Sequence, residues 1–231
     1  MTSDPNPLEL MQMHVAALYT HDARSRIEAI NQWSGGTAPR FFLGRTHLGV
    51  VRRYRTDVPD DLVAAMERSR EDDPDSHRPT QEREYVRMLA AHAPIERVWV
   101  GPAFCLPANV IPREQTVLID ATNADLLRGG FEAWLPDVPH AQPFVAVIES
   151  GRAVSICASV RITAAAHEAG VETLPAHRGK GHAGHAVAGW ANAVRAQGAI
   201  ALYSTSWDNA ASQRVAGKLD ASMFGVDFHV T

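Results

Sequence analysis

Residues 171–184 read VETLPAHRGKGHAG, an extended run followed by a basic, glycine-rich loop. β-Branched residues before Pro175 favour a strand, and the small and apolar residues over 182–197 recur at helical spacing. The segment therefore predicts a strand that leads through a loop into a helix N-terminus. Free N–H groups and the positive end of the helix dipole lie at such a terminus, and Gly179 and Gly181 let the backbone approach an anion closely. The predicted ligand is a pyrophosphate.

Two classes of cofactor place a pyrophosphate in such a loop. Residues 179–184 match G-x-G-x-x-G of dinucleotide-binding proteins, and residues 178–183 match R-x-x-G-x-A, a form of the coenzyme A loop. A dinucleotide domain needs further parallel strands and crossover helices after its motif, and residues 185–231 leave little chain for them. Residues 144–161 read as two strands around a Glu-Ser-Gly-Arg turn, and this hairpin also disfavours a parallel sheet.

From about Thr116 onward the chain resembles the GNAT superfamily of acetyl-CoA-dependent N-acetyltransferases. The agreement lies in the order of elements: a helical stretch at 123–134, the hairpin, the strand and loop, a helix, a strand at 200–205, a helix that opens at 207–212, and a last strand at 223–230. The resemblance implies an α+β (mixed α/β) fold, with a GNAT-like core whose mostly antiparallel, centrally splayed sheet is flanked by helices. Residues 111–231 would form this domain, and residues 1–110 a smaller N-terminal α+β domain that could shape the acceptor pocket.

The resemblance also assigns residues that bind acetyl-CoA. Thr173 and Leu174 would pair with the pantetheine arm. The phosphates would be held by the loop residues Arg178, Gly179, Lys180, Gly181, His182 and Ala183. Asn209 and Ser212 fall where the family has a helix start that contacts the coenzyme. Fixed positive charge on the loop suits a ligand rich in phosphate.

The chemistry needs a general base, an oxyanion donor and a route for the leaving thiolate. Glu172 is the candidate general base, and Glu168 is a second carboxylate upstream. A backbone N–H near Leu174 is the expected oxyanion donor. The tyrosine that protonates the thiolate in many family members is replaced by Ala216. Either another donor serves, or the coenzyme leaves as its thiolate without a protein acid, which a thiol pKa of about 8.5 allows.

Three histidines in the same stretch, His177, His182 and His185, raise the question of a metal. No Cys-x-x-Cys or His-Glu-x-x-His spacing accompanies them. They are interpreted as polar residues around a phosphate loop, and no metal is predicted.

The predicted function is transfer of an acetyl group from acetyl-CoA to a primary amine, by direct attack in a ternary complex. Direct attack is expected because no cysteine lies in the catalytic segments. One alternative is a non-catalytic acyl-CoA-binding module. Another is a dinucleotide-binding oxidoreductase, which only the glycine spacing favours. The sequence leaves open whether the acceptor is a small molecule or a peptide, the acyl-chain length and the oligomeric state.

Composition excludes several other classes. The 231 residues are 45% hydrophobic and 21% charged, which is typical of a globular protein with a sizeable core. A net charge of -4 disfavours nucleic acid and acidic membranes as partners. The start of the chain is acidic and contains proline, and no run is long enough to span a bilayer. Two cysteines without metal spacing favour a reducing compartment, so a cytoplasmic location is expected.

Residues 1–110 have a mixed pattern of helix and strand signals. The predicted elements are two helices within Leu8–Trp33 that part near Asp22, strands at 40–46 and 50–54, a helix that ends near Met66, a mobile loop at 69–80, a helix at 81–92 and a strand at 97–102. Residues 107–114 are the predicted connection between the domains.

Overall fold

A computed structural model of the chain describes residues 4–69, 79–112 and 114–231. They form two compact units. The first unit comprises Met1–Ala103, Thr205–Asp208 and Met223–Thr231, and the second comprises Phe104–Ser204 and Asn209–Ser222. The final strand therefore groups with the first unit. The boundary at residue 110 stays a prediction.

Helices and strands alternate irregularly along the described residues. In chain order they are α1 (Pro7–Leu18), β1 (Tyr19–His21), β2 (Ile27–Ile30), β3 (Phe41–Thr46), β4 (Gly49–Tyr54), α2 (Asp60–Arg68), α3 (Pro79–His92), β5 (Val98–Cys105), β6 (Thr116–Leu118), β7 (Phe144–Glu149), β8 (Arg152–Ile162), β9 (Ala166–Thr173), α4 (His182–Ala196), β10 (Ile200–Ser204), α5 (Ala210–Lys218) and β11 (Ser222–Val230). Short 3₁₀ helices cover Ala124–Leu127, Glu132–Asp137 and Pro175–His177.

The first unit is built around strands in the order β4-β3-β11-β5. β3 pairs antiparallel with both β4 and β11, and β1 and β2 form a separate hairpin. Phe41, Tyr85 and Phe228 are fully or almost fully buried in the core of this unit. The strands predicted at 40–46, 50–54 and 97–102 and the helices predicted before Met66 and at 81–92 are confirmed.

The second helix predicted within Leu8–Trp33 is wrong, since α1 is followed by the β1–β2 hairpin. Asp22 was expected to cap a helix. Its Oδ1 instead accepts the backbone N–H groups of Arg24 and Arg26, both at 2.8 Å. An aspartate that binds its own following backbone stabilises a turn, and Ser25 completes that turn with a φ of 61°.

The second unit contains strands in the order β10-β9-β8-β7-β6. β6, β7, β8 and β9 pair antiparallel, and β9 and β10 pair in parallel. α4 packs on one face of this sheet through Val187, Trp190 and Val194. The 3₁₀ segments cover the opposite face, where Phe131 and Phe144 are buried. The mixed, mostly antiparallel sheet flanked by helices agrees with the predicted fold class.

Residues 123–134 form two short 3₁₀ helices rather than the predicted helical stretch. Gly129 and Gly130 separate the two, with φ of 102° and 147°. Those values lie outside the right-handed helical region, so the chain cannot continue as one helix. Glu132 fixes the bend, because its carboxylate accepts the N–H groups of both glycines.

A hydrogen-bonded group beneath α4 leads to a stability prediction. The Nε1–H of Trp190 donates to Ser159 Oγ at 3.0 Å, and both residues are buried. Trp190→Phe should lower the free energy of unfolding by about 2 kcal/mol, because it removes the donor and leaves a small void. Urea unfolding measures this, with Trp33→Phe as the control, since Trp33 is 53% exposed. Equal midpoints for the two variants would contradict the prediction.

Two expectations concern mobile or membrane-spanning segments. Most of the loop predicted at 69–80 lies outside the described residues. In the described ranges, no helix has both the length and the apolar character needed to cross a bilayer.

Candidate functional site

The glycine-rich segment joins β9 to α4 as predicted. β9 ends at Thr173, a 3₁₀ turn follows, and α4 begins at His182. Gly179 and Gly181 have φ of 80° and 101°, which residues with a Cβ rarely adopt. Gly181 is the N-cap of α4 and offers no side-chain acceptor to the first turn. The helix therefore begins with its N–H groups uncapped.

Five successive backbone N–H groups in this loop find no acceptor among the described residues. They belong to Gly179, Lys180, Gly181, His182 and Ala183. The N–H of Arg178, by contrast, donates to Pro175 O at 3.3 Å. α4 has 15 residues, so its dipole adds positive potential at the same point. Arg178 and Lys180 are exposed beside these groups. Groups of this kind bind anions in proteins, so the loop has the features that a phosphate site requires, and its role stays a prediction.

The strand before the loop has a partly open edge. Pairing between β9 and β10 stops at Glu168 and Leu202, so within the described ranges the rest of β9 has no strand partner on that side. The N–H of Leu174 donates to Val154 O on β8, and successive residues of a strand point their backbone groups to opposite sides. The N–H groups of Val171 and Thr173 therefore face the gap. This divergence is the central splay predicted for the sheet.

Leu174 and Thr173, at the end of β9, differ in which of their groups are already hydrogen-bonded. The N–H of Leu174 donates to Val154 O at 3.0 Å, so it is already engaged. The expected oxyanion donor near Leu174 is then better matched by the neighbouring N–H of Thr173. The Thr173 hydroxyl lies 2.7 Å from Ser155 Oγ, and Thr173 O accepts from Arg178 Nε at 3.2 Å. These bonds tie the end of β9 to the loop.

Glu172 lies on the sheet face opposite α4. Its neighbour Val171 packs in the α4 core, and its cross-strand partner Ile156 lies in the core under the 3₁₀ helices. The Glu172 carboxylate is exposed and accepts the Trp134 indole N–H at 2.6 Å. Sequence reasoning did not find Trp134, because the contact joins residues 38 positions apart.

Glu168 is the second carboxylate on this face, and it is buried. Its Oε2 accepts from Ser204 Oγ at 3.3 Å, at the point where β9 and β10 part. Gly170 lies between the two acids, and a Cβ there would fall 3.2 Å from the Trp134 ring and 2.2 Å from Val160. The face of β9 therefore presents two carboxylates with an indole between them.

The start of α5 is held by the two residues predicted to contact the coenzyme. Asn209 Oδ1 accepts the N–H of Ser212 at 3.0 Å, which caps the helix. Ser212 Oγ lies 2.6 Å from Tyr203 Oη on β10. Burial raises the pKa of Tyr203 to about 12 despite this bond, so its hydroxyl stays protonated at neutral pH. Ala216, at the usual tyrosine position, is buried.

A groove of about 560 Å³ follows the exposed face of α5, and Arg214 and Lys218 are among the residues that line it. Leu219, just beyond this helix, lies 4.0 Å from where a Cβ on Gly184 would be. The end of α5 is thus beside the first turn of α4.

The side chains of two loop histidines lie beside glutamates of the protein. The His182 side chain is only 5% exposed, and its Nδ1 lies 2.9 Å from Glu114 Oε2. Any contact of His182 with a phosphate would therefore use its backbone N–H. His177 Nδ1 lies 2.9 Å from Glu149 Oε2. Neither glutamate was predicted to belong to the site, because both lie far from the loop in sequence.

The chain is similar in structure to solved proteins of low sequence identity. A GCN5-related N-acetyltransferase-like protein from Streptococcus suis matches with a TM-score of 0.51 and 15% identity, over 84% of this chain and 85% of that chain. A GNAT-family protein from Novosphingobium aromaticivorans matches with a TM-score of 0.47 and 17% identity, over 59% and 65%. A GCN5-related N-acetyltransferase from Kribbella flavida matches with a TM-score of 0.44 and 17% identity, over 63% and 62%.

The match spans less than two thirds of the last two proteins. Comparison with protein-family models gave no match, and comparison with curated protein sequences gave none. The Streptococcus suis match nevertheless covers most of both chains. The fold is a mixed α/β fold with a splayed sheet. It is similar to the fold of that GCN5-related N-acetyltransferase-like protein, and the resemblance predicted from the sequence is confirmed at the level of the fold alone.

Proposed function

We propose that the protein is an N-acetyltransferase that transfers an acetyl group from acetyl-CoA to a primary amine. One observation carries the proposal. The five N–H groups of residues 179–183, which have no acceptor among the described residues, follow the end of β9, where pairing with β10 has stopped. A pyrophosphate suits the first feature, and an extended chain of amides suits the second. Coenzyme A contains both groups in one molecule.

The bound coenzyme would run along the open edge of β9. Its pantetheine amides would pair with the backbone groups of Val171 and Thr173, and its pyrophosphate would lie on the amides of 179–183. Arg178 and Lys180 would supply fixed charge to the phosphates. The thioester carbonyl would then lie near the N–H of Thr173, which would stabilise the oxyanion.

The transfer requires a neutral amine. Its nitrogen attacks the thioester carbon, an N–C bond forms, and collapse of the tetrahedral intermediate breaks the C–S bond. Glu172 would accept the proton that the nitrogen loses, directly or through water. The coenzyme leaves as its thiolate, which a thiol pKa of about 8.5 permits without a protein acid. Ala216 provides no proton, and this route does not need one.

Acetyl transfer is expected to be direct rather than through an acyl-enzyme. Cys157 is buried on β8, and burial raises the pKa of its thiol well above the ordinary value. A protonated, buried thiol is a poor nucleophile. A ternary complex of protein, acetyl-CoA and amine is therefore the proposed reacting state.

A second candidate function is a non-catalytic acyl-CoA-binding module. The buried Ala216 at the usual tyrosine position favours it, because a lost proton donor would fit lost chemistry. In that case the loop and the open edge would bind acyl-CoA, and Glu172 would have no catalytic part.

Thiol release from acetyl-CoA in the presence of a panel of amines separates the two. We expect amine-dependent release, an acetylated product by mass spectrometry, and intersecting double-reciprocal lines. Parallel lines would instead indicate an acyl-enzyme. Calorimetric binding of acetyl-CoA without turnover on any amine would favour the binding module. Absence of binding at millimolar coenzyme, with retention on a nicotinamide dinucleotide, would overturn both proposals.

A further inference from the structure

Three side chains from separate segments converge behind the phosphate loop. Glu149 ends β7, His177 lies in the 3₁₀ turn, and His182 begins α4. Their potential ligand atoms all lie within 4.8 Å of one another. We call these three residues the His/Glu cluster. It lies outside the chemistry proposed above, which uses the backbone of this loop and the side chains of Arg178 and Lys180.

The contacts within the His/Glu cluster are short without being hydrogen bonds. His177 Nδ1 is 2.9 Å from Glu149 Oε2, and His182 Nε2 is 3.1 Å from Glu149 Oε1. Both nitrogens are buried, and neither has a hydrogen-bond partner among the described residues. Both ring nitrogens therefore lie beside the same carboxylate without a hydrogen bond to it.

The spacing of the His/Glu cluster suits a cation. Donors that lie 2.0–2.1 Å from a zinc ion, with bond angles of 90–110°, are about 2.8–3.4 Å apart. The two nitrogen–oxygen distances fall in that range. Two imidazoles and one carboxylate are a ligand set that zinc uses in proteins, with a fourth position left for water.

Glu114 supplies the supporting contact that such a site needs. Its Oε2 lies 2.9 Å from His182 Nδ1. A carboxylate at Nδ1 favours the tautomer that carries its proton on that nitrogen, which leaves the Nε2 lone pair available to a metal ion. Histidines that bind metals commonly donate the N–H of their other ring nitrogen to a carboxylate. His182 is 5% exposed, so its ring orientation is fixed by packing as well.

We propose that the His/Glu cluster binds one zinc ion through His177 Nδ1, His182 Nε2 and the Glu149 carboxylate, with water as the fourth ligand. The ion would tie the end of β7 to both sides of the phosphate loop. It would fix the loop that carries the five uncapped amides, and its charge would add to the positive potential there. Only this effect on the coenzyme rests on the proposed function, because metal binding is independent of it.

The test is metal binding by the free protein without coenzyme. After saturation with zinc sulfate and dialysis, elemental analysis should find one equivalent of zinc per chain. Titration with cobalt(II) should give the visible absorption of a four-coordinate ion. Zinc should also raise the melting temperature, because it binds only the folded state.

Three variants make the test specific. Glu149→Gln should lower zinc affinity at least 10-fold and abolish the zinc-dependent rise in melting temperature. Glu114→Gln should lower affinity about 10- to 100-fold, as loss of a supporting carboxylate does. His185→Gln is the matched control, because its Nε2 lies 3.7 Å from Glu114 Oε1 and outside the cluster. It should retain one equivalent.

Two results would overturn the proposal. One is a wild-type protein that retains less than about a fifth of an equivalent and gives no cobalt spectrum. The other is a Glu149→Gln protein that binds zinc as tightly as the wild type. Glu149 is 39% exposed, so its replacement should leave the fold intact, and urea unfolding of each variant checks this. Coenzyme binding, measured separately, can succeed or fail without changing either result.

Discussion

Replacement of Gly181 by valine should weaken coenzyme A binding by at least about 100-fold while the chain remains folded. Gly181 has a φ of 101°, where a residue with a branched Cβ is strained. Valine would relieve that strain by shifting the loop, so the amides at the start of α4 would lose their alignment. Hydrogen bonds to charged groups contribute about 1.5–3 kcal/mol each, and loss of two accounts for the expected factor. Titration calorimetry with coenzyme A measures it.

The control for this variant is Gly198→Val. Gly198 has a φ of 81° just beyond the other end of α4, and a Cβ there would meet no atom within 4 Å. Both variants carry strain from a positive φ, so both should lose similar stability in urea. Only Gly181→Val should lose the coenzyme. Normal binding by Gly181→Val would place the phosphate site elsewhere, and equal losses in both variants would indicate a global effect.

Glu172→Gln should lower kcat for acetyl transfer by about 100-fold or more, with little change in coenzyme affinity. Glutamine keeps the shape of the side chain and can still accept from the Trp134 indole at the 2.6 Å contact. It cannot accept a proton from the amine, and general-base catalysis typically contributes 10²- to 10⁴-fold. Steady-state kinetics over a range of pH measure the effect. The variant should also regain rate with rising pH, because the neutral amine then becomes more abundant.

Two further variants decide what a loss in Glu172→Gln means. Trp134→Phe removes the indole donor but keeps the carboxylate, so it should change kcat much less. Glu168→Gln tests the buried carboxylate that contacts Ser204. If Glu168→Gln loses activity and Glu172→Gln does not, the base is Glu168 and the assignment to Glu172 fails.

The sequence predicted most of the second unit because its signals are local. The hairpin of β7 and β8 follows from the apolar runs on either side of Ser150 and Gly151, which have φ of 49° and 75°. The loop before α4 is predicted by its glycines, and α4 is predicted by the helical spacing of its apolar residues. Asp220, just after α5, has a positive φ of 52°, which aspartate tolerates better than most residues.

The wrong predictions arise where the same residue type can stabilise two different local structures. Asp22 can cap a helix or close a turn, and here it closes a turn between β1 and β2. Gly129 and Gly130 lie within the helical stretch predicted at 123–134, and their backbone conformation divides it. In both places the spacing of hydrophobic residues is compatible with a helix. The backbone conformation of a few polar or small residues nevertheless prevents one.

The candidate site shows a second kind of limit on sequence reasoning. Residues contributed by the loop itself were recognised, since they are contiguous. Partners that lie in other segments were not: Trp134 for Glu172, Ser155 for Thr173, and Glu149 and Glu114 for the loop histidines. Metal-ligand spacing is a local signal, so a cluster that takes its carboxylate from a distant strand escapes it.

The parting of β9 from β10 has a bearing on how the protein behaves in crowded solution. Unsatisfied amides along a strand can recruit a strand from another molecule, and such recruitment is a common beginning of aggregation. A small molecule that occupies this edge with its own amides would block that route. A coenzyme bound at this edge would thus reduce self-association as well as serve as a reactant. The supply of coenzyme in the cell would then determine how long the protein stays dispersed.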